Sequence, residues 1–408
     1  MKGPLRCLLG IMLLAPPSSA QDSRPIGSWM AKSSKRGDTT VVRTESGSVW
    51  GDKVRLVEEL RIGTRDGDGP DSFGEIRAFA LFPDGVMAVF DQSVPALRLF
   101  DPAGEYLRTL GRSGAGPGEY RNDVLGLVVD RDGVLLMYDL RNNRLNRWKR
   151  DGTVLPAWKV GSPSIYAFLR AIQVDTAGNT YLLVAAGPPE PGKYPKRGLA
   201  RFDRSGNLAD TLQQPTIEGP DDPPLTPFSP YKYWLLSRAG SAVTAFSGIY
   251  AITVSGPGRN VIRIERAIPR VGLLPDERRS YQEYMEARSG VPMASTPRPT
   301  TSLPSTKPQF SQLHSDLDGR IWVKLHTKAE PFDPPVLPLR QGQPKLPPIR
   351  WRERVVWDVF QRDGRYLGQL ELPRETDLSE AKGSRIWAIQ RGEDDEQYVV
   401  RYRIAGMR

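Results

Sequence analysis

Two histidines, a few basic and aromatic residues at strand entries, and a single cysteine bound the chemistry open to this chain. His314 and His326 are the only histidines, so a three-histidine zinc site is excluded by count. Each could serve as a ligand or general base, with a packed or solvated strand residue as the ordinary alternative. Cys7 is the only cysteine and lies in the N-terminal apolar run. No Gly-x-Ser-x-Gly elbow, phosphate loop or Cys-x-x-Cys occurs. Gly114-Ala-Gly116-Pro117-Gly118 is no phosphate cradle, because the proline removes an amide donor and no Lys-Ser/Thr follows. No catalytic residue is assignable. What remains is Arg121, Arg170, Lys232 and Trp234, cations and an aromatic able to grip a sugar or an acidic ligand, with channel lining as the plain alternative for each.

The elements that position these residues come from a repeat. Phe79 to Leu110 and Leu127 to Pro156 match position for position, and Gly85 to Gly133 and Gly104 to Gly152 are both 48 residues apart. Each copy holds four short runs rich in Val, Leu, Ile and aromatics, separated by Asp-Gly-like turn signals. One such four-stranded sheet cannot bury both faces alone, whereas several stacked around an axis can, as in a β-propeller. Further copies follow at Ile172 to Gly206, Trp234 to Ile264 (degraded) and Leu313 to Leu370, and a sixth runs from Gly383 to Ile404 without a fourth strand. The run Val54 to Ile62 is a last strand with no strands before it. The expected architecture is all-β: six four-stranded antiparallel blades over 41–408, with that N-terminal strand completing the last blade and leaving no open radial edge.

Lys2 and Arg6, an apolar run from Cys7 to Ala15, and Ser18 and Ala20 before Gln21 are the marks of a cleavable secretory signal over 1–20. The run is too short to cross a bilayer, which needs about 20 apolar residues. The expected destination is periplasmic or extracellular, and residues 21–40 read as a flexible polar leader. Of 57 basic residues, Lys2 and Arg6 leave with the signal, so 55 face 47 acidic ones, a net of about +8. That sign favours an anionic partner. Nucleic acid is not expected, since no recognition helix or stacking motif is visible, and a monomer is.

The insertions are not scattered. The two glycines bracketing the middle of a blade are 19 apart in the first two copies, 28 in the third (Gly178 to Gly206) and 45 in the fifth (Gly319 to Gly364). The extra residues fall between strands two and three, on the face that also carries the long connections from one blade to the next. Irregular material thus gathers on one face, where a rigid scaffold would present binding loops. The longest connection, about 270–308, holds a predicted helix from Pro275 to Arg288, with Pro and acids at its start and Gly290 past its end. It reads as a lid or as a rim-packed helix, followed by an extended Pro/Ser/Thr-rich stretch.

Gly111-Arg-Ser-Gly-Ala-Gly116-Pro117-Gly118-Glu119-Tyr120, Asp132-Gly133, Asp139 and the Phe/Trp-x-x-x-Gly turns resemble those of NHL-type six-bladed propellers, especially exported bacterial ones. The resemblance covers about Val54 to Ile404. It implies a propeller fold, which in many members serves as a binding or scaffolding module; with the basic charge and the loop-face residues, the expected partner is a protein, saccharide or anionic ligand, and no cofactor is expected. It also implies an alternative, a lactonase-like hydrolase with a divalent ion in the channel, for which Glu75, Glu119 and Asn122 would be the carboxylate and amide set and calcium the fitting ion. Against that alternative, Glu119 belongs to a Gly-Pro-Gly-Glu turn and is expected to cap backbone amides there.

Overall fold

The computed structural model describes residues 29–65, 67–161, 172–185, 197–220, 226–256, 258, 260–289, 302–335 and 345–407. The chain folds as six blades of four antiparallel strands, blades 1 to 5 in sequence order, with blade 4 extended by two further strands. Blade 1 comprises Ile76–Leu81, Met87–Asp91, Ala96–Phe100 and Tyr106–Leu110; blade 2 comprises Val124–Val129, Leu135–Asp139, Arg144–Trp148 and Val154–Lys159. Blade 3 comprises Ile172–Val174, Thr180–Ala185, Arg197–Phe202 and Leu208–Gln213; blade 4 comprises Lys232–Leu236, Ala242–Phe246, Ala251–Ser255 and Val261–Arg266. Blade 5 comprises Phe310–Ser315, Ile321–Leu325, Val355–Phe360 and Tyr366–Leu372; blade 6 comprises Thr376–Lys382, Arg385–Arg391, Gln397–Ala405 and, from the other end of the chain, Arg55–Ile62. This is the six-bladed, N-terminally closed architecture expected from the repeat.

The turns are built by aspartates. Asp130 accepts the amides of Asp132 (2.8 Å) and Val134 (2.9 Å), and Asp101 those of Ala103 (2.8 Å) and Glu105 (2.9 Å). Such carboxylate-to-amide bonds fix a tight turn by satisfying donors that the strand ends leave open. Gly104 requires glycine twice over. Its φ is +94°, and a Cβ there would stand 2.8 Å from Leu60 of blade 6. The turn therefore packs directly on its neighbour's outer strand. Between blades 1 and 2, fully buried Tyr120 meets Phe90 edge-on at 5.6 Å and Trp148 at 6.2 Å. Its hydroxyl donates to Leu110 O and accepts from Leu97 N, both at 3.0 Å.

The N-terminal stretch departs from expectation. Residues 30–36, read as leader, form the strand Met30–Arg36, paired with Thr39–Ser46, which in turn adds in parallel to the outer strand of blade 4. The chain then crosses blade 5, where Val49 N bonds Tyr366 O (3.0 Å) and Trp50 N bonds Leu367 O (2.7 Å), before pairing with Gln397–Ala405 in blade 6. One segment thus laces three blades. Its Val42 and Trp50 side chains are buried, and Glu59, on its last strand, meets Arg385 and Arg403 at 2.9 Å and Arg401 at 3.5 Å. Burial pushes the Glu59 carboxyl up, but these three guanidiniums outweigh it and hold it below the usual range.

A chain starting at Val54 should still melt cooperatively but at lower temperature, since deleting a buried tryptophan such as Trp50 costs about 3–5 kcal/mol. A chain starting at Gly63 should aggregate, because the edge of Gln397–Ala405 is left bare. Thermal melts and size exclusion decide; a soluble, cooperatively melting chain lacking Arg55–Ile62 would contradict this closure.

Candidate ligand-binding face

A blade must hold down the connection that enters it, and the entries to blades 1, 2 and 4 are held by buried polar side chains at the loop-face end. In blade 1, Asp91 accepts the amides of Gly74 and Glu75 (3.1 Å each) and Ser93 (2.9 Å). Its counterpart one repeat later, Asp139, accepts from Arg121 N (3.2 Å), Asn142 N (3.1 Å) and Asn142 Nδ2 (2.7 Å). Blade 4 uses Ser247, whose Oγ accepts Tyr231 N at 2.8 Å. Gln397 of blade 6 accepts Ile76 N at 2.7 Å. These groups are buried, so their bonds are strong and costly to break.

The connection into blade 2 is the most elaborately held. Arg112–Ser113 pairs in parallel with Glu119–Tyr120. Arg144 donates to the carbonyls of Ala115 (2.9 Å), Gly116 (2.6 Å) and Glu119 (2.7 Å), and Asn142 to that of Gly114 (2.9 Å). Glu119 accepts Gly116 N at 2.8 Å and Arg112 Nε at 2.7 Å. The Gly116 amide, and then Arg112, hold its carboxyl below the usual range. The turn-capping role expected of Glu119 is therefore its role here.

Of the predicted site residues, Lys232 and Trp234 lie two apart on the innermost strand of blade 4, on one side of it, and both are half-buried. The Trp234 indole N–H is buried and has no hydrogen-bond partner among the described residues. Arg121 enters blade 2 with its backbone tied to Asp139 and its side chain exposed beside exposed Asn122, so it belongs to a different blade from Lys232. Arg170 lies outside the described residues. Glu75 sits at the entry of blade 1, its amide tied to Asp91. Among the described residues no three His, Cys, Asp or Glu side chains are grouped to hold a metal ion.

The opposite face is occupied differently. Arg131 donates to Thr176 O (2.9 Å) and Arg204 to Asp132 (2.8 Å), so its cations are spent on neighbouring tight turns. Near the axis, Arg238 reaches from the first turn of blade 4 past blade 3 to Val129 O of blade 2 at 3.1 Å, and burial pushes its guanidinium pKa down. His314 stands 3.5 Å from Glu380 of blade 6. The tight-turn end is thus made of short turns cross-linked between blades, whereas the loop end carries the long connections, tied down by the buried groups described above.

Sequence reasoning missed one cluster on the loop face. Lys307, two residues before blade 5 resumes its packed strand entry at Gln309, is fully buried between Glu277 of the helix Pro275–Ser289 (2.7 Å) and Glu353 (2.9 Å). Glu353 also takes Thr327 N (2.7 Å) and His326 Nδ1 (3.0 Å). The stretch read as extended accordingly divides: 302–309 is packed under the helix, with Leu303 and Lys307 buried, and 290–301 lies outside the described residues. A lone lysine at the position where other blades present backbone donors was the available signal.

No protein-family model matches the chain, and no curated protein matches it in sequence. Solved structures do. A member of the DUF4221 family from Bacteroides vulgatus aligns over 86% of this chain and 98% of its own, with 11% identity and a TM-score of 0.51. The likeness is one of fold. Virginiamycin B lyase from Staphylococcus aureus aligns over 85% and 99%, with 10% identity and a TM-score of 0.41. A gluconolactonase from Xanthomonas campestris aligns over 81% and 86%, with 12% identity and a TM-score of 0.39. No helix among the described residues is long and apolar enough to cross a membrane.

Replacing Asp139 with Ala should orphan the Arg121 and Asn142 donors in a buried setting and cost about 2 kcal/mol. Asp101→Ala, which frees similar amides at an exposed turn, should cost less. Urea denaturation of the two variants checks this; equal losses would show that burial of the tie is immaterial.

Proposed function

We propose that the protein is an exported, monomeric binding propeller of the NHL type that takes an anionic or saccharide ligand, or a partner presenting one, on its loop face. The observation that carries this reading is the segregation of the two faces. The opposite face is built of short, tight turns, whereas the loop face carries the helix, the hairpin Glu330–Pro331 with Trp351–Arg352 in blade 5, and Arg121, Lys232 and Trp234 at or next to tied-down entries. Binding loops on a rigid frame lose little entropy on capture, and the net positive charge of the chain favours encounter with anions.

The rival reading is a lactonase-like hydrolase with calcium held by Glu75, Glu119 and Asn122. It is less favoured because Glu119 already serves Gly116 N and Arg112, and a carboxylate so engaged would have to exchange two partners for a metal.

A sulfated oligosaccharide is the test ligand. By calorimetry, Arg121→Ala with Lys232→Ala should weaken its binding about tenfold or more and flatten the salt dependence, as loss of two phosphate- or sulfate-facing charges does. Arg131→Glu and Arg204→Glu should change affinity little. A chelator should leave affinity and melting temperature unaltered. Absence of binding to the unmodified protein, or loss only through the tight-turn variants, would overturn the proposal; a stoichiometric divalent ion would favour the hydrolase.

A further inference from the structure

The helix Pro275–Ser289 is held by an unusual device. Its apolar side, Tyr281, Tyr284 and Met285, packs with Phe228, Leu273 and Leu303, and Arg278 donates to Leu303 O (2.8 Å) and Pro304 O (2.6 Å). Beneath this lies a chain of charges. Glu277, 1% exposed, meets Lys307, which is wholly buried. Lys307 Nζ also donates to Thr327 O (3.1 Å) and to Glu353 (2.9 Å), whose two carboxylate oxygens lie 3.0 and 3.1 Å from His326 Nδ1. Phe228 closes the group, 5.3 Å from the Lys307 ammonium and 5.9 Å from the His326 ring.

We infer that this cluster is a latch for the helix and that the protonation of His326 sets its strength, the helix being held most firmly when His326 is a cation. Charge balance governs this cluster, since Glu277 and Lys307 are shut off from water. Two carboxylates face one ammonium, so a neutral imidazole leaves one negative charge uncompensated, and an imidazolium balances the four groups. An uncompensated buried charge is far more costly than a paired one, and histidine is the side chain that changes charge near neutrality. Other ionisable groups against the cluster do not restore the balance. Tyr281 is pushed up to about 12, by burial and then by the fields of Glu353 and Glu277, and so stays neutral. Arg278 is committed to carbonyls, Arg354 turns to Glu371, and Asp276 and Arg279 pair on the exposed side.

The same count gives the acid limit. Burial pushes Glu353 up, but His326 and then Lys307 outweigh it, so its carboxyl lies below the usual range. A depressed carboxylate contributes stability that is present above its unfolded pKa and lost as pH falls through the lower folded value. The latch is therefore tightest while His326 carries its proton and Glu353 does not. Otherwise the helix loosens and bares Phe228 and Leu303 on the loop face.

Hydrogen exchange of the full chain, read on peptides within 277–288 and corrected for intrinsic rates, tests this. Protection at pH 6 should exceed that at pH 8 by about tenfold, less than a fully buried charge would lose with its counterion, because Glu353 is only half-buried. His326→Gln, which keeps the hydrogen bond to Glu353 but cannot be charged, should abolish the difference while blades 1 to 3 exchange as before. Lys307→Met should deprotect the helix by about a hundredfold at both pH values. Protection that is independent of pH in the unmodified chain, a pH dependence that survives His326→Gln, or a helix still protected in a folded Lys307→Met protein would each overturn the latch. Should Lys307→Met fail to fold, the His326→Gln comparison decides alone.

Discussion

The pairing of Arg55–Ile62 with Gln397–Ala405 is the constraint on which the remaining structure rests. A ring of twisted sheets is stable only when no blade is left with one face uncovered, and this chain joins its two ends by a strand ladder, with no cysteine available beyond Cys7 to do it covalently. Closure fixes the angle at which all six blades meet. That in turn fixes where every entry to an innermost strand stands around the axis, including those that carry Arg121 and Lys232. Glu59 with its three arginines adds charge complementarity to the same seam.

Within that ring the blades solve a common problem with different chemistry. A connection arriving from the neighbouring outer strand brings amides that must be satisfied near the top of the blade. Blades 1 and 2 use an aspartate, blade 4 a serine, and a glutamine of blade 6 serves the entry to blade 1. At the entry to blade 5 the amides of Lys307 and Gln309 bond the carbonyls of Val271 and Ser247, and the Lys307 ammonium, having three protons, reaches Glu353 and a second carboxylate, Glu277, on the inserted helix. An insertion that would otherwise rest on a small apolar cluster is thereby tied to the frame of the propeller.

What could be read in the sequence follows the physics of the pattern. The 48-residue register, the tight turns and the orphan strand were legible because they depend on apolar alternation and on glycine positions such as Gly104, which only one residue type fits. The hairpin of Met30–Arg36 with Thr39–Ser46 was not. Its outer strand, Lys32-Ser-Ser-Lys-Arg36 among it, is exposed on an edge, so no buried face writes itself into the residues; the signal in Val41 and Val42 is two residues long. Lys307 was hidden for a different reason, since a buried ion pair spans Glu277, Lys307 and Glu353, and no local spacing links them. Glu119 was legible as a cap because the glycines before it place amides within reach of its carboxylate.

Hydroxyl-radical footprinting of the protein with and without a bound sulfated oligosaccharide tests the assignment of the binding face most directly. The account predicts protection of Lys232, Trp234 and the entry at Arg121, with the turns at Asp130 to Gly133 and Asp203 to Gly206 labelled equally in both states. Protection confined to those turns, with Trp234 labelled as before, would contradict it.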